Sequence, residues 1–465
     1  MKYDPVSVLY RKSYEQSARR CFLKKLSIMW FRSDLRLEEN PALMAALRSG
    51  NPVLPVYIYP DGQRLPGAAT QWWLDKSLLA LDKEIQGHGG QLYVVDAQET
   101  SVEEAFRKLI QKFDVQGVYW NRRYEPVGRT TDETVKTWLK DNGIAAESFS
   151  GSLLLEPWNL KTKTGDLYKV FTPFWKSLKE AYQPQLCGCP ERPEFAKETS
   201  ATIASLKLHP TKPDWSAGMN DSWSPGAAAA KDCLHKFLDS HLENYSETRD
   251  RPDKDQTSRL SPYLAFGEIS PHYIWSVTKS RIDEYPELEK GGWSFLRELA
   301  WRDFSYSLLF QSRNLAEENW NSRFDDFGWT ADQSGFAAWK AGRTGYPIVD
   351  AGMRQLWHTG WMHNRVRMVV ASFLVKHLRI NWREGEKWFW DTLVDADSAN
   401  NPASWQWVAG SGADAAPYFH IFNPMTQAEK FDPNGEYIRR WVPELRKLPT
   451  KYLSAPWTAP ASVLT

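Results

Sequence analysis

Several features that define common protein classes are scarce in this chain of 465 residues. It has only four cysteines, at positions 21, 187, 189 and 233, and their spacing fits neither a zinc site nor a disulfide framework, which favours a reduced intracellular compartment. No run approaches the roughly 18 consecutive apolar residues of a membrane-spanning helix, so we expect no membrane partner. The net charge of +1 excludes a uniformly basic surface but leaves room for a local basic patch.

The first third of the chain alternates apolar runs with helical patterns. Four runs are predicted as buried strands, at residues 26–31, 53–59, 92–97 and 115–121. Leucines and isoleucine recur with helical spacing from Leu74 to Ile85, which predicts a helix packed on the sheet. Alternating strands and helices predict a parallel α/β domain over residues 26–155. No GxGxxG motif follows the first strand, so this domain is not a standard dinucleotide-binding unit.

The remaining segments differ in character. Residues 1–25 are rich in lysine and arginine and lack the apolar core of a secretory signal, so we interpret them as a basic extension. Residues 156–225 carry scattered prolines in polar sequence and are predicted to be an interdomain linker. From residue 226 to 465 helical periods replace strand patterns, which predicts an all-helical domain.

Polar and aromatic residues are crowded together in the run Asp391–Pro424. Polar groups next to large aromatic side chains are costly to bury unless each finds a partner, so this run indicates a flat, polar cofactor. Most of the 24 tryptophans of the chain are nevertheless attributed to packing. Within the run, the glycine-rich residues 411–417 resemble a phosphate loop, but we favour a tight turn.

A second polar segment lies at residues 257–261, where Thr257, Ser258 and Ser261 offer hydroxyl groups and Arg259 a guanidinium. A helix start is predicted just beyond it, at Ser270-Pro271. Hydroxyls beside a helix N-terminus suit a pyrophosphate group. Ordinary helix capping is the alternative interpretation of the same residues.

Two further patterns suit a nucleic acid. Glu298 and Trp301 share a helix face, where an acid and an indole would receive a nucleobase, although a surface acid above a core tryptophan fits the same spacing. Residues 340–384 contain eight lysines and arginines against two acids, which indicates a phosphate-facing surface. Two of these arginines, Arg365 and Arg367, interrupt an apolar helix and need carboxylate partners if buried. Asp395 and Asp397 are the predicted partners.

Four long motifs resemble the photolyase/cryptochrome flavoprotein family, in particular its cyclobutane-pyrimidine-dimer photolyases. They are TSRLSPYLAFGEIS (257–270), TGYPIVDAGMRQLWHTGWMHNRVRM (344–368), NWREGEKWFWDTL (381–393) and DADSANNPASWQWVAGSGADAAPYFHIFNP (395–424). The similarity begins in FRSDLRLEENPAL (31–43) and extends to Glu444. It implies an α/β antenna domain, a helical domain that holds a U-shaped FAD, and a monomer in the bacterial cytoplasm that acts on ultraviolet-damaged DNA.

The resemblance assigns the cofactor residues position by position. Those implied to bind FAD are Tyr245, Thr257, Ser258, Arg259, Leu260, Ser261, Arg367, Asp395, Asp397 and Asn401. Asn401 falls where the family places the residue that faces flavin N5, and photolyases resemble this chain in having asparagine where plant cryptochromes have aspartate. A neutral amide hydrogen-bonds a reduced flavin without adding a negative charge or supplying a proton. The residues Trp405, Trp382 and Trp329 match the family's electron-transfer chain from flavin to solvent, and a branch through other tryptophans stays open.

The same resemblance assigns the DNA side of the site. Residues implied to contact DNA or its lesion are Arg249, Glu298, Trp301, Asn364, Arg365, Met368, Trp407 and His420. Relatives that repair (6-4) photoproducts carry histidines at the positions of Asn364 and Met368, so cyclobutane dimers are the expected lesion. His420 departs from the arginine usual in bacterial relatives, and we expect it either to weaken phosphate binding or to make it pH-sensitive.

The resemblance also implies a second, antenna chromophore in the α/β domain. Residues 315–329 lack the Cys-Lys pair that helps to hold a folate in some relatives. Glu125, in the motif NRRYEP, suits the amino and ring N–H groups of a pterin, which favours methenyltetrahydrofolate over 8-hydroxy-deazaflavin. An ion pair of Glu125 with Arg122 or Arg123 is the alternative interpretation.

The resemblance therefore implies light-driven repair, in which excited reduced FAD donates an electron to a flipped-out pyrimidine dimer. No Ser-His-Asp or Cys-His arrangement stands out in the sequence, and this reaction needs neither a general base nor a nucleophile. A cryptochrome-type blue-light photoreceptor is the first alternative. A light-independent flavin oxidoreductase is the second, although no nicotinamide-binding fingerprint is found.

Overall fold

A parallel sheet forms the centre of the N-terminal half of the computed structural model, which describes residues 24–61, 64–209, 212–415 and 421–464. Its strands are β1 (Lys25–Phe31), β2 (Val53–Tyr59), β3 (Tyr93–Asp96), β4 (Asp114–Asn121) and β5 (Ala145–Phe149). They lie in the order β3-β2-β1-β4-β5, and every neighbouring pair is parallel. The predicted α/β class is confirmed, whereas the prediction of four strands was wrong because β5 was missed.

Helices cover both faces of this sheet. They are α1 (Pro41–Arg48), α2 (Ala68–Gly87), α3 (Val102–Lys112) and α4 (Pro126–Asp141). Alternate residues of β1 enter different cores: Ile28 and Trp30 pack on one face, and Met29 and Phe31 on the other. The predicted helical stripe is confirmed, since the side chains from Leu74 to Ile85 that define it are buried on α2.

The C-terminal half is built from helices, as predicted. Two helices, α5 (Phe171–Ala181) and α6 (Ala217–Ser222), lie in the segment between the two halves. The helices of the C-terminal half are α7 (Ala227–Ser240), α8 (Tyr245–Thr248), α9 (Ser261–Ala265), α10 (Pro271–Glu284), α11 (Glu289–Gln311), α12 (Gln333–Lys340), α13 (Pro347–Thr359), α14 (Asn364–Ser372), α15 (Trp382–Thr392), α16 (Asn400–Ala409), α17 (Pro424–Phe431), α18 (Glu436–Trp441) and α19 (Ala461–Leu464). The predicted helix start at Ser270-Pro271 is confirmed by α10. In the part of the chain that the structure describes, no helix is long and apolar enough to cross a membrane.

The segment 156–225 contributes to the helical core. Its helix α5 buries Phe171, Phe174 and Leu178 in the same cluster as Phe304 of α11, and the rings of Phe174 and Phe304 lie 5.3 Å apart. The segment therefore holds packed helices in addition to its proline-rich connections.

Backbone contacts join the two halves at the start of the helical domain. The N–H of Leu35 donates to the carbonyl of Phe266 at 3.1 Å, and the Arg36 guanidinium donates to the carbonyl of Gly267 at 2.8 Å. Gly267 has a left-handed φ of 63°, and a Cβ there would lie 2.1 Å from the carbonyl oxygen of Ser33. Only glycine therefore fits at position 267. The next residue, Glu268, accepts hydrogen bonds from α2, and burial raises the pKa of its carboxyl group to about 8.

This close approach predicts that Gly267→Ala destabilises the full-length protein by about 3 kcal/mol or more, because steric overlap adds to the cost of the left-handed backbone. Gly89 is the matched control, since it also has a positive φ, of 81°, but a Cβ there meets nothing within 4 Å. Gly89→Ala should cost only about 1 kcal/mol. Urea midpoints and thermal melts measure both variants, and equal losses would contradict the tight junction.

Candidate cofactor and nucleic-acid site

An arginine–carboxylate pair lies at the centre of the candidate site. Arg367, on α14, donates to Asp395 through two bonds, Nη1 to Oδ1 at 3.0 Å and Nη2 to Oδ2 at 2.8 Å. Asp395 is buried and also accepts a 2.6 Å bond from the hydroxyl of Ser261 at the start of α9. The predicted pairing of Arg367 with Asp395 is confirmed. Because Ser261 ends the hydroxyl-rich segment, the two polar regions singled out in the sequence meet here.

The hydroxyl-rich segment approaches this pair as a loop. Thr257 and Ser258 are half-buried and Leu260 is buried, 2% exposed. Arg259 adopts a left-handed φ of 51°, and its guanidinium carbon lies 4.4 Å from the ring centroid of Trp223. A non-glycine residue in this conformation is uncommon, so the local fold holds the loop in a defined shape.

Tyr245 is predominantly a packing residue. Its buried ring meets the rings of Phe237 and Phe295 edge-on, with centroids 5.3 Å and 5.9 Å away. The guanidinium carbon of Arg249 lies 5.7 Å from the Tyr245 ring. Its predicted contact with FAD stays a prediction.

Arg365 has a different partner from the one predicted. Its Nη2 donates to Asp250 at 2.9 Å, so the assignment of Asp395 or Asp397 as its partner was wrong. Residues two apart on a helix project in widely different directions, and therefore Arg365 and Arg367 cannot both reach the same carboxylate.

Asp397 also differs from its predicted role as an arginine partner. Its carboxylate accepts the N–H groups of Ala399 at 2.8 Å and Asn400 at 2.5 Å, together with the Asn400 amide at 2.7 Å. Burial raises the pKa of this carboxyl group above its ordinary value. Asp397 thus orders the chain at the beginning of α16, the helix that carries Asn401.

Asn401 is buried with one end of its amide occupied. Its Nδ2 donates to the Oε1 of Glu386 at 2.9 Å and to the main-chain carbonyl of Glu386 at 3.2 Å. Among the described residues no group donates to its Oδ1. An acceptor without a protein donor fits a bound group that carries an N–H, as a reduced flavin does at N5. The hydrogen-bonding groups of Asn401 therefore fit the predicted flavin cofactor.

Charged pairs connect the residues assigned to DNA. Glu298, on α11, forms an ion pair with Arg249, and the adjacent Asp250 holds Arg365 on α14. Each of these side chains keeps partial exposure, between 20% and 37%. The structure thus brings Glu298, Arg249 and Arg365 together along one surface.

The other predicted lesion residues vary in their surroundings. Trp301 stacks on Phe171 with centroids 3.6 Å apart and planes 7° from parallel, so one face of the indole is covered. Asn364 is exposed at the first position of α14, and Met368 lies half-buried one turn later. Trp407, on α16, is half-buried. His420 lies outside the described residues.

A buried histidine precedes Asn364. His363 caps α14 by accepting the N–H of Arg365 through Nδ1 at 3.2 Å. Burial lowers the pKa of His363 to about 4, so the ring is neutral at physiological pH and can act as this acceptor.

Two of the predicted electron-transfer tryptophans lie on neighbouring helices. Trp405 of α16 is 2% exposed, and its ring meets Phe389 edge-on at 4.9 Å. A Cβ on Gly385 of α15 would lie 2.2 Å from this ring, so the glycine permits the close approach. Trp382 begins α15 one turn earlier, is fully buried, and donates its Nε1 to Asn319 at 2.9 Å.

Trp329 lies half-buried in a loop at the same end of α15. The next residue, Thr330, donates its N–H to the carbonyl of Arg379 at 2.8 Å, just before the helix. Trp339 lies 6.2 Å from Trp405, centroid to centroid, and is a possible branch point. The three assigned indoles thus occupy adjoining segments, while their electron-transfer role stays a prediction.

A separate cavity of about 90 Å³ lies at the carboxyl ends of β1, β2 and β4. Glu125 lines it and pairs with Arg123 at 2.5 Å, which is the alternative considered for this residue in the sequence. Arg123 also pairs with Asp61. Asp397 and Tyr306 of the helical domain close the other side.

The glycine-rich segment after α16 is a turn, as favoured. Gly410 ends the helix with a left-handed φ of 95°, and the N–H of Gly412 donates to the carbonyl of Gln406 at 3.0 Å. Such a turn is a common way to end a helix.

Sequence reasoning missed several members of the site. Asp250, Phe171, Glu386 and Arg64 had no assigned role, although each contacts a predicted residue or its partner. Glu386 had a detectable signal, since it is an acid on the aromatic face of the motif 381–393. Arg64 had no such signal, because it is an isolated cation in a loop that lies 322 residues before Glu386 in the sequence.

Comparisons with known proteins agree with this architecture. A family model described as DNA photolyase matches residues 27–194, and one described as the FAD binding domain of DNA photolyase matches residues 295–465. A deoxyribodipyrimidine photo-lyase of Agrobacterium fabrum is 50% identical over 442 residues, covering 94% of this chain and 91% of the relative. Cryptochrome-2 of Arabidopsis thaliana is 38% identical over 458 residues, covering 95% and 74%. The crystal structure of a bacterial class III photolyase from Agrobacterium tumefaciens matches with a TM-score of 0.90 at 49% identity, covering 95% and 91%.

The central ion pair predicts a loss of both stability and FAD retention in Asp395→Asn. A neutral amide cannot accept both guanidinium bonds, and Arg367 would keep a partly buried charge, at a cost of about 3 kcal/mol. Glu444→Gln is the matched control, because Glu444 pairs with Arg354 but is 55% exposed. That variant should cost less than about 1 kcal/mol. Thermal melts and bound-flavin absorbance measure both, and an unchanged Asp395→Asn protein would contradict a central role for the pair.

Proposed function

The chain belongs to the photolyase and cryptochrome family of flavoproteins, and on this premise we propose that it repairs cyclobutane pyrimidine dimers in DNA by light-driven electron transfer. The observation that carries the proposal is the buried neutral amide of Asn401, which donates to Glu386 and receives no bond at Oδ1 from the described residues. An acceptor at this place supports a flavin that stays reduced, which electron donation to a lesion requires.

The residues of this chain would divide the work between binding and positioning. The chemistry supplied by bound, reduced FAD is donation of an electron to the dimer after light absorption. Residues 257–261, with Arg367 and Asp395, would hold the cofactor. Arg249 and Arg365 would bind DNA phosphates, and photolyases act on a base extruded from the duplex.

The lesion itself would lie between side chains of α11, α14 and α16. Glu298 offers an acceptor to the N–H groups of the pyrimidines, and its partner Arg249 limits its movement. The face of Trp301 that Phe171 leaves open would stack on a base. Asn364 and Met368 would contribute a polar and an apolar wall, which is the basis for choosing cyclobutane dimers.

For the antenna we propose the cavity lined by Glu125. Ligands of α/β domains commonly bind at the carboxyl ends of parallel strands, where this cavity lies. Methenyltetrahydrofolate is the proposed occupant, although the pairing of Glu125 with Arg123 leaves less of that carboxylate for a pterin. Extraction and absorption spectra of the purified chromophore distinguish it from 8-hydroxy-deazaflavin. We further propose that the protein is a monomer. Because its proposed target is DNA, we also propose that it lies in the cytoplasm.

A blue-light photoreceptor is the second candidate, favoured by the similarity to a plant cryptochrome over nearly the whole chain. The two functions need the same cofactor but differ in the reaction catalysed. A signalling protein would absorb light without splitting a dimer, so the products of illumination separate them.

The proposal predicts light-dependent repair by the purified protein. Thymine DNA carrying cyclobutane dimers is incubated with the reduced holoprotein under blue light and in darkness, and dimer loss is followed by chromatography. Dimers should disappear only under light. No loss in the presence of bound reduced FAD would reject the repair function and favour the photoreceptor, and loss in darkness would reject both.

A second expectation concerns the tryptophan pathway. Trp382→Phe should slow photoreduction of oxidised FAD by about tenfold or more, a rise of about 1.4 kcal/mol in the barrier, because a phenyl ring fills the space without being readily oxidised. Repair by enzyme that is already reduced should change little. Trp215→Phe is the control, since Trp215 is 38% exposed in the segment between the domains. Flash illumination with absorbance detection measures both, and unchanged photoreduction in Trp382→Phe would show that the electron uses another route.

A further inference from the structure

Arg64 of the α/β domain reaches into the helical domain. It lies in the loop between β2 and α2, and its guanidinium donates to both carboxylate oxygens of Glu386 on α15, at 2.6 Å and 3.0 Å. Its guanidinium carbon also lies 4.0 Å from the ring centroid of Trp390. The Glu386 side chain is 2% exposed, so this is a buried carboxylate with an arginine from another domain as its cation.

The same carboxylate determines which end of the Asn401 amide is free. Both N–H groups of Asn401 face acceptors of Glu386, namely Oε1 at 2.9 Å and the main-chain carbonyl at 3.2 Å. Rotating the amide by half a turn would place Oδ1 against two acceptors, which is repulsive. Arg64 has only donors, so Glu386 must accept at both oxygens and cannot turn an O–H toward Asn401.

We propose that Arg64 is a positioning residue that holds Asn401, through Glu386, with its Oδ1 directed to the flavin. The inference rests on the proposed function, because it requires FAD beside Asn401. It extends that function by assigning a control of the flavin's redox balance to a residue of the antenna domain.

The direction of the effect follows from hydrogen-bond chemistry. Reduced flavin carries an N–H at N5, which an amide oxygen accepts. Oxidised flavin has a lone pair at N5, which an amide oxygen repels. A fixed Oδ1 therefore favours reduced FAD, and loss of the fixing arginine should lower the reduction potential.

The test is the midpoint potential of the purified holoprotein. Arg64→Met keeps an apolar stem over Trp390 but removes the donors, and we expect a tenfold loss in the preference for reduced over oxidised FAD, equivalent to a shift of about −30 mV for a two-electron couple. Arg122→Met is the matched control. Arg122 also makes two bonds to a glutamate, Glu156, and lies 5.9 Å from the Trp158 ring, but it does not touch Glu386. The midpoint potential of the Arg122→Met holoprotein should match that of the unmodified protein.

Two further variants separate positioning from simple loss of charge. In Glu386→Met no side-chain acceptor remains for the Nδ2 of Asn401, which in the unmodified protein donates to Oε1, so positioning predicts a lower potential. Removal of a negative charge alone would raise it. Arg64→Lys retains the charge but not the bidentate geometry and should lower the potential partially.

The outcomes are distinct. A lower potential in Arg64→Met, Arg64→Lys and Glu386→Met supports the proposal. An unchanged potential in Arg64→Met with FAD bound, or a raised potential in Glu386→Met, overturns it. Failure of the unmodified protein to split dimers under light, with its potential still sensitive to Arg64, would reject repair and leave the positioning role intact.

Discussion

The site depends on the requirement that each buried carboxylate has a cation or several N–H donors close by. An ion removed from water costs several kcal/mol unless such partners replace its hydration. Here two arginines from distant segments meet the requirement: Arg367 pairs with Asp395, 28 residues away, and Arg64 pairs with Glu386, 322 residues away. A third pair, Arg365 with Asp250, spans 115 residues but stays partly exposed. Each pair fixes two parts of the chain relative to each other, and together they define the surfaces around the candidate site.

Local periodicity made much of this fold predictable. The strands β1, β2 and β4 are mostly apolar and mostly buried because helices cover both faces of the sheet, and their bounds agree with prediction to within one residue. The edge strand β5 reads AAESF and has only one buried residue, so it gives no such signal. The other edge strand, β3, buries Tyr93 and Val94 and keeps enough of the apolar pattern to be predicted.

The ion pairs were predictable only in part. A partly buried arginine in an apolar helix needs a carboxylate, and that rule correctly joined Arg367 to Asp395. The same rule failed for Arg365, because a sequence states the need for a partner without stating the direction of the side chain. For Asp397 the error lay in assigning it an arginine partner at all. It needs no arginine, since the N–H groups of the following turn satisfy it, and Asp is a residue that commonly bonds the backbone two or three positions ahead.

The asparagine at position 401 is linked to the other domain through one glutamate. An amide has a donor end and an acceptor end, so its neighbours decide which end faces a ligand. Glu386 supplies that decision, and because Glu386 is buried it in turn needs Arg64. An ionised aspartate at position 401 would instead place a second carboxylate beside Glu386, with repulsion between like charges. The requirements thus extend from one neutral side chain of the candidate site to a loop of the other domain.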